Sequence, residues 1–159
     1  MENPVEAGVE SIDRGMQLLE RSEEEIINYI GYLDREQNSY REWQEQGLSV
    51  PWNEEERWLC FTSGKERGTI KDWLTPGSHF LKEKVFPHLK MAVCENGECR
   101  KEIVALESDV RELLKYLVGV IAGLLAASVP AAVLSISVAV AVLLMKKGLG
   151  SFCKEWGTS

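Results

Sequence analysis

Few side chains in this sequence could carry chemistry. The 159 residues include four cysteines, Cys60, Cys94, Cys99 and Cys153, and two histidines, His79 and His88. His88, Cys94 and Cys99, with Cys60 or His79, would make a zinc set by ligand type, because thiolate sulfur and imidazole nitrogen are what structural zinc takes. Four residues separate Cys94 from Cys99, at the wide end for a metal knuckle, so no metal and no cofactor is expected. A Cys94–Cys99 disulfide would need an oxidising compartment. The N-terminus, Met1-Glu2-Asn3-Pro4, has no basic region and no early apolar core, so it does not resemble a secretion signal and reduced, unreactive thiols are the expectation. Cys60 with His79 or His88 supplies a nucleophile and a base by type, but no local motif frames them. Ser63-Gly64-Lys65-Glu66-Arg67-Gly68 lacks the Gly-Lys-Ser/Thr of a phosphate-binding loop. Glu54-Glu55-Glu56 suits the first turn of a helix. No catalytic residue is therefore expected, and a small zinc- or thiol-dependent enzyme is a remote alternative.

The charge distribution is more informative than the motifs. The formal net charge is −7, with 25 acids against 18 bases. That balance argues against a nucleic-acid binder working through a broadly basic surface. The sum hides a division. Residues 1–115 carry 24 acids and 15 bases, whereas residues 116–159 carry Glu155 against Lys146, Lys147 and Lys154. From Tyr116 to Met145 there are thirty residues without Asp, Glu, Lys or Arg. This predicts three parts: an acidic, soluble helical domain over 1–115, a transmembrane segment over 116–145, and a short basic tail over 146–159.

The elements ahead of the run are expected to be mostly α. Ile12, Met16, Leu19, Ile26, Ile30 and Leu33 recur at spacings of three and four, continued by Gln37 and Tyr40. The pattern predicts a helix from about Val9 to Glu45, broken or restarted at Ser22, whose following Glu23-Glu24-Glu25 suits a capped first turn. Gly15 and Gly31 weaken such a helix by about 1 kcal/mol each relative to Ala. Its stripe would pack on its own domain, or alternatively on a second copy or a protein partner. An aromatic-rich, irregular middle follows, with turns at Ser63-Gly64 and Thr75-Pro76-Gly77 and a small core of clustered rings among Trp52, Trp58, Phe61, Trp73, Phe80 and Phe86. Asn96-Gly97 predicts a tight joint. Ile103, Leu106, Val110, Leu113, Leu114 and Leu117 predict an amphipathic helix that runs unbroken into the hydrophobic run.

Thirty helical residues span about 45 Å, more than the roughly 30 Å of a hydrocarbon core. The favoured arrangement is one tilted span kinked at Pro130. A helical hairpin turning there is the second option, which would bring Lys115 and Lys146-Lys147 to one side. A buried core helix of a soluble protein is the third. Gly119, Gly123 and Ala127 form a small-residue stripe suited to close helix packing, hence to a homo-oligomer. Lys115, Lys146, Lys147 and Trp156 suit the membrane interface, and Gly148 and Gly150 are expected to end the helix. The sequence thus predicts a non-enzymatic membrane protein with its N-terminal domain in the cytoplasm. That domain would sense or bind a partner. The C-terminal segment would contact lipid, anchor and oligomerise, as a membrane-perturbing or pore-forming effector in the sharper version and a passive tail-anchored adaptor in the plainer one.

Overall fold

The computed structural model describes residues 9–47, 58, 70–95, 97–125 and 133–155, and among these the regular structure is all helical, joined by short turns, with no strand. The first predicted helix is two. α1 spans Val9–Leu18 and α2 spans Glu23–Glu45. The break falls at the cap signal: Ser22 Oγ accepts the Glu25 N–H at 3.1 Å, and the Glu25 carboxylate reaches back to the same hydroxyl. This satisfies a donor that a helix start leaves unpaired and sets three acidic residues against the positive end of the helix dipole. Arg21 pairs with Glu25 one turn on, at 3.1 Å. α2 runs out just before Gly47, which takes a left-handed φ of 81°, a conformation glycine adopts without the Cβ penalty.

The predicted stripe faces inward on this same chain. Ile12, Ile26, Ile30, Leu33 and Gln37 are buried, and Met16, Leu19 and Tyr40 are partly so. Their burial is against the chain's own helices.

The irregular middle requires correction. Residues 70–95 form a helical rod: α3 (Ile70–Phe80), a π-helical stretch (Leu81–Val85), α4 (Phe86–Leu89) and a second π-helical stretch (Lys90–Glu95). The expected turn at Thr75-Pro76-Gly77 lies inside α3. Tertiary packing overrides the local turn preference there. α3 packs along α2, and Gly77 sits so close to the Ile27 carbonyl oxygen and the Gly31 backbone that a Cβ would collide. Gly31, expected only to weaken α2, lies at this close crossing. The first π stretch has a local cause. Pro87 has no N–H to give to a carbonyl four residues back, and the ladder widens ahead of it so that the Phe86 N–H donates to Leu81 O. The rings do not gather into one cluster among the described residues. Tyr29 meets Trp58 edge-on, and Phe86 meets Phe152 edge-on, each with centroids 5.5 Å apart. Trp52, Phe61, Ser63-Gly64 and the acidic run Glu54–Glu56 fall outside the described residues.

After the second π stretch come α5 (Gly97–Leu106) and α6 (Val110–Leu125). The unbroken helix expected from Ile103 into the run is interrupted at 107–109. Asp109 Oδ1 accepts the Glu112 N–H at 3.2 Å, a side-chain cap that starts α6 afresh. α7 follows over Val133–Lys147, and α8 over Leu149–Glu155. Gly148 separates the last two, with φ 86° and its N–H donating to Leu144 O at 2.8 Å. Gly148 therefore ends α7 as expected, while Gly150 lies within α8.

Candidate functional site

The charge-free run is folded as two packed helices, α6 and α7, and no described helix is long and apolar enough to cross a membrane. This corrects the expectation of one continuous span. Leu113 and Leu117 near the start of α6 share a cavity of about 370 Å³ with Leu144 and Met145 at the end of α7. The helices are therefore antiparallel, and Lys115 lies at the same end as Lys146 and Lys147. Pro130 and Ala127, proposed as the kink and as part of the small-residue stripe, fall in 126–132, outside the described residues, as does Trp156.

α7 is the most enclosed element. All ten residues from Ser135 to Leu144 are buried, and α1, α2, α6 and α8 surround it. A helix apolar on every side has to be wrapped by protein or by lipid. Here the wrapping is amphipathic. α1 turns Ile12 and Leu18 inward and leaves Asp13 and Gln17 in solvent. Gly15 permits the approach: a Cβ there would lie 2.6 Å from Leu114 Cδ2 and 3.0 Å from Val138 Cγ1. The glycine that local propensity marks as a defect is where α1 nests between the two hairpin helices.

Polar contacts help fasten α1 and the turn after it to the hairpin. Arg111 at the head of α6 pairs with Asp13 at 2.9 Å. Lys146 at the foot of α7 donates from Nζ to the Leu19 carbonyl at 2.9 Å, capping an end where helix carbonyls lack partners. Lys146, expected as an interface anchor, here ties the sheath to the hairpin. Lys115 contacts Glu112 at 3.5 Å, and Lys147 lies half-buried in the last turn of α7.

Gly119 is half-buried and Gly123 exposed on the outer side of α6, and a Cβ on either would meet nothing within 4 Å. Among the described residues these glycines meet no packing partner. On α2, burial raises the Asp34 carboxyl above its ordinary value, against the opposing pull of Lys84 and Arg41.

The cysteines depart from expectation. Cys94, in the second π stretch, is bonded to Cys153 in α8, with Cα atoms 5.7 Å apart. Neither reduced thiols throughout nor a Cys94–Cys99 pair describes this chain. Spacing pointed to the near cysteine, but Cys99 is buried and stands outside the disulfide, and antiparallel folding of the hairpin brings Cys153 back to Cys94. Among the described residues no group of His, Cys, Asp or Glu is placed to hold a metal. His79 faces Glu83 at 3.5 Å on an exposed helix surface. Comparison of the chain with protein-family models, with curated proteins and with solved structures finds no match.

Proposed function

We propose that this is a membrane-active protein whose amphipathic N-terminal helices sheath a hydrophobic hairpin, and that displacing the sheath lets the hairpin enter a bilayer. The observation that carries this reading is the enclosure of α7, ten buried residues in a row in a segment without charge. Lipid can replace the protein around such a helix without leaving a charge in hydrocarbon, because the run from 116 to 145 contains none. α1 is held on the hairpin by the apolar packing of Ile12 and Leu18, and its Asp13–Arg111 pair lies at the surface, where an ion pair contributes about 0–1 kcal/mol.

In this proposal residues 1–115 remain on the cytoplasmic face and bind the partner that loosens them, with exposed acids on α2 such as Glu24 and Glu42 offering a contact for a basic partner. The open side of α6 at Gly119 and Gly123 offers a homo-oligomer contact once in lipid. The sharper form is a pore-forming or membrane-perturbing effector. Purified protein added to dye-loaded liposomes is expected to release dye, with release reduced in a Gly119→Leu, Gly123→Leu variant. Intact liposomes at high protein-to-lipid ratio would overturn the membrane-perturbing form, and unaltered release from the double variant would overturn the oligomer contact. A passive anchor predicts membrane retention through alkaline carbonate extraction without dye release.

The second reading keeps α6 and α7 as the permanent core of a helical bundle. It is favoured by their lengths, 16 and 15 residues, or about 24 and 22 Å as helices. It predicts release from membranes on carbonate extraction.

A further inference from the structure

The Cys94–Cys153 bond restricts what the hydrophobic run can do in a bilayer. It joins a point ahead of the run to a point behind it, 59 residues apart in sequence, with Cα atoms 5.7 Å apart. A single span over 116–145 would put those two points on opposite sides of a hydrocarbon core about 30 Å thick. A closed disulfide cannot bridge that separation. A hairpin keeps both points on one side and leaves the bond undisturbed. The covalent ring contains α5, α6 and α7 in full.

We propose that this disulfide is a redox-controlled topology lock on the membrane segment. Closed, it holds both ends of the run on one face of the bilayer. Opened, it frees α8 and the tail so that the run can straighten into one transmembrane span. The proposal rests on the membrane reading above and adds its regulation. The oxidised chain admits the hairpin, and only the reduced chain admits the single crossing.

The structure makes the bond a workable control point. Cys94 and Cys153 are both partly exposed residues at the edge of the core, with exposed Glu95 and Lys154 beside them, where a dithiol can approach. Cys99 is buried, away from that access. Among the described side chains of α8, Phe152 is fully buried and edge-on to Phe86. Opening is thiol–disulfide exchange with a dithiol reductant. A thiolate of the reductant attacks one sulfur, the other cysteine leaves as thiolate and takes up a proton, and the second reductant thiol then resolves the mixed disulfide. Two electrons and two protons pass to Cys94 and Cys153, and the reductant leaves as its own disulfide.

The test uses the full-length chain on vesicles of mixed zwitterionic and anionic phospholipid, with trypsin added outside and peptides identified by mass spectrometry. For the oxidised chain, cleavage is expected both in the N-terminal part and after Lys154. Reduction with a dithiol is expected to abolish cleavage after Lys154 while N-terminal cleavage continues. Cys153→Ser should behave as the reduced chain with or without reductant. Should that variant fail to fold by circular dichroism, the wild type reduced after folding carries the comparison. Lipid-bound protein whose tail is cut equally in both redox states, or shielded equally with the bond intact, overturns the lock and leaves the membrane reading standing. Protein that stays off the vesicles in both states overturns the membrane reading and the lock with it.

Discussion

Glycines at equivalent-looking helix positions play opposite parts here. Gly77 is pressed against α2 backbone, which cannot yield as a flexible side chain would. Gly77→Ala is expected to destabilise the fold by about 1–3 kcal/mol through overpacking, measured by chemical denaturation. Gly123→Ala has open space around the new methyl and should stabilise the isolated chain by up to about 1 kcal/mol through helix propensity. The two substitutions look alike in sequence, and the sign of each depends on what lies across the helix. Asp34 gives a pH signature. Its carboxyl sits above the ordinary value of 3.8 because burial disfavours the charge. The folded chain therefore holds this proton more tightly than the unfolded one. That contribution to stability is complete below the unfolded value and is lost as pH rises through the raised folded value. Asp34→Asn should flatten this part of the curve, so that the variant gains relative to wild type in thermal melts between acid and neutral pH. A variant that tracks wild type over that range would contradict the assignment.

At the scale of elements, the first cap was readable, whereas the second cap and the packing partners were not. Ser22 with Glu25 three residues on is a local signature, and the α1–α2 break follows it. Asp109 with Glu112 has the same geometry, yet the apolar spacing on either side of it reads as continuous and masks the break. Pro76 and Gly77 are turn formers locally, but the close packing of α3 on α2 requires helix there. The attachment of α1 to the hairpin depends on residues far apart in sequence. Lys146→Met removes the bond to Leu19 O while keeping much of the aliphatic stem. Amide hydrogen exchange in α1 is expected to speed up severalfold, with exchange in α7 little changed. Equal acceleration in both helices would mean that α1 and the hairpin open as one unit.

For the whole molecule, the dominant fact is that the least polar part of the chain is central and the most charged part surrounds it. Antiparallel pairing of α6 and α7 brings the start and the end of the run together, and with them Cys94 and Cys153. The closed ring restricts the unfolded chain. Reduction is expected to lower unfolding stability by about 4 kcal/mol on loop-entropy grounds, read as a lower urea midpoint with dithiol present. An unchanged midpoint would show that the bond contributes nothing to the folded state.

Sequence alone determined the helical class, the first cap, the inward stripe of Ile12, Ile26, Ile30 and Leu33, the end of α7 at Gly148, and an uncharged run that must be kept from water. Each follows from local preference or from a period that one helix imposes on itself. Tertiary structure decided whether the run is one helix or two, which cysteine Cys94 bonds, what Lys146 holds, and why Gly15 and Gly77 are glycines. Those outcomes depend on which surfaces meet. Chain spacing does not encode that, because thirty uncharged, mostly apolar residues satisfy the helical period equally well straight through lipid or folded back upon themselves.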